Sequence, residues 1–374
     1  VGRTLPYSTK VRSDLKKIAI NVLKYGASLA ILAYLFWQAS SDESFDALRT
    51  QPKNWLVLSA ALGLCLTAIT GTIVRWWMLV RAIKLPFTLP EALRLGYIGF
   101  LFTFLTLGVV GGDLVKAIFL ARRQPGRRTE AVATVIIDRI IGLYALFVLA
   151  AIAIFFVDFG GIETADPTRL AAVRTLGWVA IGAAIVGTIL LVIIALPSFG
   201  NTPLSEAAFR LPKVGPTIER VTTAIKMYRG KPRFMAGIGV MSLLIHCCFA
   251  CSVYLIAVGL PGEIPSFGKH FVIVPLAMLA NTLPLPGGLG GFEFALDFLY
   301  RGMSSAEVAN SQGFVIALGY RIATLFVAMI GVFFYLSRRQ EVNDLLEEAH
   351  REEEQHENRD DDSAKTKALA TPVR

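Results

Sequence analysis

NTLPLPGGLGGFEFAL, residues 281–296, sets two prolines, four glycines and Glu293 between the apolar runs FVIVPLAMLA (271–280) and FLY (298–300). A helix crossing a membrane avoids most of these residues, and a solvated loop would not be flanked by such runs. Irregular backbone at membrane depth is tolerated only where protein buries it or water reaches it. A second interruption of the same kind, TLGVVGGDL (106–114), lies earlier in the chain. Both therefore read as broken helices. Their glycines let backbones turn and approach closely, and the helix restarting after each break aims its free N–H groups inward.

The rest of the chain makes the membrane setting plain. Of 374 residues, 54% are hydrophobic and 17% charged, which excludes an ordinary soluble domain. The net charge of +9 sits in short loops, as the positive-inside rule expects, rather than in a basic domain that would bind nucleic acid. Six apolar runs are long enough to cross about 30 Å of hydrocarbon. They cover 18–39, 55–80, 129–157, 173–196, 234–259 and 313–336, and the interrupted stretches 86–121 and 267–301 stand apart.

Loop charge orients these segments. Lys10, Arg12, Lys16 and Lys17 hold the N-terminus in the cytoplasm, and the acidic stretch 40–54 faces out. Arg81 and Lys84 precede the first interrupted stretch, and Arg122, Arg123, Arg127 and Arg128 follow it, so both its ends are cytoplasmic. The acidic stretch 158–167 is external. Residues 197–233 are basic and internal, with Ile218, Val221, Ile225 and Met227 at interfacial-helix spacing. Arg338 and Arg339 return the last span to the cytoplasm, so 267–301 starts and ends outside.

The pattern predicts an all-α polytopic membrane protein with six full spans and two re-entrant helical hairpins. Units 55–157 and 234–336 would be inverted-topology repeats, with 18–39 and 173–196 as additional helices. Residues 1–17 form a basic N-terminus, 18–339 the transmembrane domain, and 340–374 a charged tail with no apolar core. The spacing agrees between the units: 27 residues separate Gly112 from Arg139, and 30 separate Gly291 from Arg321. Paired broken helices in inverted repeats are how secondary transporters build a site. The competing reading has each interrupted stretch cross fully, giving eight spans and a parallel repeat.

Charges inside these segments mark the candidate site. In GGDLVKA (111–117), Asp113 and Lys116 share a helix face after Gly111 and Gly112, where a helix start would suit an anion. Pro286, Gly287, Gly288 and Gly290 would build the equivalent turn before Glu293. Asp113 and Glu293 could equally stabilise the first turns of their helices. Arg139 and Arg321 lie about nine or ten residues inside their spans, and a guanidinium grips phosphate or carboxylate with two parallel bonds. Structural pairing of Arg139 with Asp113 and of Arg321 with Glu293 is the other reading. Asp138 and Glu293 are candidates for a proton relay or for ion pairing. Arg75 reads as a residue snorkelling to the inner interface, with Trp76 and Trp77 as belt residues.

The cysteines are Cys65, Cys247, Cys248 and Cys251. HCCFAC (246–251) lies within an apolar span without a second ligand cluster, so it predicts packed thiols rather than a metal or a disulfide framework. No metal or cofactor is expected. No nucleophile–base pair suggests an enzyme, and no phosphate-binding G-x-x-x-x-G-K-[ST] motif supplies ATP, so energy would come from gradients or a partner.

LPLPGGLGGFE (283–293), GGDLVKA, the Asp138–Arg139 dipeptide and Arg321 together resemble the transmembrane region of lysylphosphatidylglycerol synthases, the flippase-like domain of multiple peptide resistance factors. The resemblance covers about 55–336. It implies a lipid flippase that moves an anionic or aminoacylated phospholipid, or a polyprenyl-phosphate-type lipid, between leaflets of a bacterial inner membrane, with both termini cytoplasmic. The headgroup would enter a polar cavity formed by the two hairpins and meet Arg139, Arg321, Asp113, Lys116 and the turns holding Gly111, Gly112, Pro286, Gly287, Gly288 and Gly290. A homo-oligomer is compatible with this reading. Two features depart from the family. Its first motif runs closer to Pro-x-Arg-x-Gly-Asp/Glu, whereas residues 107–113 read LGVVGGD without the basic residue. The tail 340–374 has no apolar core, so the soluble aminoacyl-transferase domain of the synthases, and with it synthase activity, is not expected here. The alternatives are an intramembrane enzyme acting on a lipid phosphate and a non-transporting subunit of a membrane complex.

Overall fold

The computed structural model describes residues 43–106, 108–157, 167–195, 222–282, 285, 288–304 and 312–337, together with 33, 34 and 37. Every regular element among them is a helix. In chain order these are α1 (Glu43–Thr50), α2 (Trp55–Ala82), α3 (Leu89–Leu105), α4 (Gly108–Arg122), α5 (Arg128–Ile154), α6 (Pro167–Ala195), α7 (Pro232–Gly259), α8 (Phe267–Leu279), a 3₁₀ turn (Ala280–Thr282), α9 (Gly291–Met303) and α10 (Gln312–Leu336). Helices α2, α5, α6, α7 and α10 are long and apolar enough to cross a membrane. The protein is an integral membrane protein. Most of the expected span 18–39, most of the basic segment 197–233 and the tail 340–374 lie outside the described residues.

Two boundaries differ from the sequence reading. Helix α6 starts at Pro167 rather than near 173, because Pro is well suited to a first helical turn. The acidic stretch 40–54, read as a loop, contains α1.

Each interrupted stretch is a pair of short antiparallel helices. Helices α3 and α4 have 17 and 15 residues, and α8 and α9 have 13 each. At a rise of about 1.5 Å per residue, none exceeds roughly 26 Å. Helix α3 begins in a capping box: the Thr88 N–H donates to the Glu91 carboxylate at 2.8 Å, and the Glu91 N–H returns to the Thr88 hydroxyl at 3.4 Å. The end of α4 returns to the same place: Arg123 binds Glu91 at 3.1 Å and Gln124 donates to the Pro86 carbonyl at 2.8 Å. In the second pair, His270 Nε2 lies 2.5 Å from the Tyr300 hydroxyl, and Lys269 donates to the Met303 carbonyl at 2.9 Å.

Gly111 and Gly112 act here differently from the sequence expectation. Helix α4 starts at Gly108, so both glycines lie inside it and serve the contact with α3. A Cβ on Gly112 would stand 2.4 Å from the Gly99 carbonyl oxygen, and one on Gly111 would stand 1.6 Å from the Thr106 hydroxyl. Small residues let helix backbones approach in a membrane protein, where packing rather than hydrophobicity drives association. Gly112→Ala should therefore destabilise the protein by the ~1–3 kcal/mol typical of overpacking and lower its thermal midpoint in detergent. Gly63→Ala, at a position with open space around it, should change it little. Equal midpoints for the two variants would contradict this packing.

At the centre, α2 and α7 lie against each other. Ala61, Cys65 and Ala68 of α2 are buried, as are Ala250, Val253 and Ala257 of α7, and the Ser252 hydroxyl donates to the Ala61 carbonyl at 2.8 Å. The other contacts exchange under the substitution of α2 for α7, α3 for α8, α4 for α9 and α5 for α10. Thus α5 packs on α8 as α10 packs on α3, and α5 packs on α7 as α10 packs on α2. Helix α6 has no such counterpart among the described helices. It leans on α5 and α9 and leaves Trp178, Ile185, Val186 and Ile189 exposed, as a lipid-facing surface would.

Candidate functional site

On the first helix pair, the carboxylate–guanidinium contact of the alternative, structural reading is present. Arg139 of α5 donates through Nε to Asp113 Oδ2 of α4 at 2.7 Å, and its Nη2 meets the same oxygen. Lys116, one turn beyond Asp113, approaches the other carboxylate oxygen at 3.5 Å and lies 5.8 Å from the Trp76 ring centroid. Asp113 is thus shared between two cations, and the cluster carries a net positive charge. Because α4 starts at Gly108, Asp113 lies beyond the first turn and does not cap the helix. The Arg139 side chain is 44% exposed.

The second pair repeats the motif in sealed form. Gly290 has φ +91° and Gly288 φ +62°, left-handed conformations that favour glycine. They turn the chain into α9, where Glu293 reaches back to the Gly290 N–H at 2.9 Å. Its other oxygen accepts from Arg321 Nε at 2.7 Å, while Arg321 Nη2 donates to the Gly288 carbonyl at 2.9 Å. Glu293 therefore both caps its helix and neutralises Arg321. Its side chain is 1% exposed, and that of Arg321 is 16%. Pro286 and Gly287 lie outside the described residues.

The two pairs meet at their turns. The Arg321 guanidinium carbon lies 5.8 Å from the ring centroid of Phe104, near the end of α3. Helix α4 touches the 3₁₀ turn that closes α8. One carboxylate–arginine contact thus sits on each helix pair, at exchanged positions.

The family described as Lysylphosphatidylglycerol synthase TM region matches residues 21–331. The chain belongs to this family. No curated protein matches it significantly. The synthase TM-region match spans both helix pairs and all but the end of α10, and it gives the protein a membrane, lipid-related setting.

One polar centre of this synthase TM-region chain was misread in the sequence. Arg75 does not snorkel: it is buried, with Nε 2.8 Å from Asp138 Oδ1, Nη2 3.2 Å from the Asp138 carbonyl and Nη1 3.0 Å from the Ser242 hydroxyl. Gly142 leaves room for it, since a Cβ there would stand 3.1 Å from Nη2. His246 Nε2 lies 3.0 Å from the Gly142 carbonyl, so that nitrogen carries the proton. Asp138 is therefore an ion-pair partner joining α2, α5 and α7. Trp76 is not a belt residue either: it is buried and donates to the Thr134 hydroxyl at 3.2 Å, while the partly buried Trp77 donates to the Phe87 carbonyl at 3.1 Å. The available signal was pairing: a lone Arg and a lone Asp inside apolar spans satisfy one another.

Among the described residues, no group of three or more His, Cys, Asp and Glu side chains could hold a metal ion. Cys65, Cys247, Cys248 and Cys251 are free thiols.

Proposed function

We propose that this protein is a lipid transporter that carries an anionic phospholipid or lipid phosphate between leaflets, with its headgroup received where the two helix pairs meet. In this reading α3–α4 and α8–α9 are re-entrant hairpins entering from opposite faces of a bacterial inner membrane, both termini are cytoplasmic, and α2–α5 and α7–α10 are inverted repeats. Short helix lengths, antiparallel folding and exchanged contacts support it. One observation carries it: equivalent carboxylate–arginine contacts stand on the two pairs, one of them half-open and the other closed.

The half-open contact is the receiving end. Two cations face one carboxylate there, so a phosphate can take the forked guanidinium of Arg139 and the ammonium of Lys116. Asp113 serves as the placeholder that keeps both cations oriented while the site is empty. At the closed contact Glu293 already satisfies Arg321, and opening it would be the step that passes the headgroup across. The reading makes the protein a transporter rather than an enzyme.

Arg139→Ala should slow exchange of a fluorescent anionic phospholipid across proteoliposomes by about tenfold or more, the equivalent of one charge-assisted hydrogen bond. Arg139→Lys should restore part of the rate, and the thermal midpoint should shift little because the side chain is half-exposed. Wild-type exchange in Arg139→Ala would refute headgroup binding at this arginine.

A further inference from the structure

A cavity of about 550 Å³ lies on the other side of α5. Ile137, Ile140, Ile141 and Tyr144 of α5 form one wall, and Met235 and Gly239 of α7 form another. Leu191 of α6 adds to them, and the turn 228–230 closes one end with Arg229. The volume falls within the roughly 300–1,000 Å³ of small-molecule sites. The walls are almost wholly apolar. Tyr144 contributes its ring, since its hydroxyl is held by Thr188 at 2.6 Å, and the Tyr228 hydroxyl is bound to the Leu79 carbonyl at 3.1 Å.

Helix geometry separates this cavity from the headgroup site. At about 100° per residue, Ile137, Ile141 and Tyr144 share a face of α5, and Arg139 lies roughly 160° around from it. Asp138 faces Arg75 between the two. One helix thus serves a polar junction on one side, an ion pair at its flank and an apolar chamber on the other.

We infer that this chamber seats one acyl chain of an anionic phospholipid, with the headgroup at Arg229, as a lipid site separate from the transport path. Apolar walls exclude a free anion and accept a hydrocarbon chain. The charged end is cationic: Arg229 is exposed, and Lys226, Lys231 and Arg233 neighbour it in sequence. The same basic segment is read as cytoplasmic, where anionic lipids attract juxtamembrane cations. An amphiphile with one apolar arm and one negative end matches both halves.

Gly239 provides the test, because nothing lies within 4 Å of a Cβ built there, so a larger side chain grows into open space. The purified protein is placed in vesicles containing phosphatidylglycerol with a diazirine in mid-chain, irradiated, and its adducts mapped by mass spectrometry. A parallel set carries the diazirine on phosphatidylcholine. Adducts are expected at Ile140, Tyr144 and Met235, several-fold stronger with phosphatidylglycerol. Gly239→Leu should remove them while leaving adducts on the outward face of α6, at Trp178 and Ile185, unchanged. Arg229→Gln should abolish the preference between headgroups.

Three outcomes would overturn the inference: cavity adducts no stronger than those on α6, equal labelling by the two lipids, or labelling that survives Gly239→Leu. An unlabelled cavity is the extreme case of the first. The result is independent of the transport reading, since Arg139→Ala should leave these adducts intact whatever it does to exchange.

Discussion

Arg321→Ala should destabilise the protein strongly. The change leaves the Glu293 carboxylate, 1% exposed, without the guanidinium that neutralises it, and strips a donor from the Gly288 carbonyl. Removing one partner of a buried ion pair costs about 3–5 kcal/mol. In a detergent melt this corresponds to a fall on the order of 10 °C. Glu293 keeps the Gly290 N–H, so helix α9 still has its first-turn bond. The double variant Arg321→Ala/Glu293→Gln should regain much of the loss, because no uncompensated charge remains. A midpoint for Arg321→Ala within about 1 °C of wild type would show that Glu293 does not depend on Arg321, and that the closed contact is no lock. The comparison with Arg139→Ala is the informative one. The two arginines occupy exchanged positions, yet burial predicts a stability phenotype for one and a transport phenotype for the other.

That contrast also marks where sequence reasoning stopped. The interrupted stretches were legible because glycine and proline have few uses inside an apolar run, and their positions announced two broken elements. Both arginine–carboxylate pairings were nameable from spacing, as structural contacts competing with a ligand role. What could not be read was the difference in exposure between them, which depends on how the helix pairs pack rather than on either motif. Gly111 and Gly112 show the same limit. A diglycine before an acid fits an anion-binding helix start as well as a close helix crossing, and only the position of Gly108 decides. Arg75 failed for another reason. Its place near the expected inner end of the span suggested a long side chain reaching water, but Asp138 of α5 and Ser242 of α7 meet it inside the bundle. The apolar chamber left no sequence signal, since Ile137, Ile141 and Tyr144 look like any core stripe at helical spacing.

Arg75→Leu should also be severe, and it tests the central junction by a cycle of variants. Asp138 would lose its Nε partner and its backbone carbonyl would lose Nη2, while Ser242 would lose the donor at 3.0 Å. The Arg75 and Asp138 side chains are 5% and 13% exposed, so the expected loss is again about 3–5 kcal/mol. Asp138→Leu should cost a similar amount, because it leaves a cation inside apolar helices. The double variant Arg75→Leu/Asp138→Leu replaces both charges by hydrocarbon, and such replacements are often neutral or stabilising. It should recover at least half of the single-variant loss, a coupling that the cycle measures directly. Additive losses would instead mean that each residue is held by its other neighbours, with Gly142 and Ser242 doing more than the ion pair. Since Asp138 and Arg139 are adjacent on α5 and point to different partners, the same cycle repeated on leaflet exchange separates two roles. If the pair only stabilises the fold, the double variant should exchange lipid at close to the wild-type rate. If it also fixes how α5 presents Arg139 to α4, exchange should remain impaired although the protein melts normally.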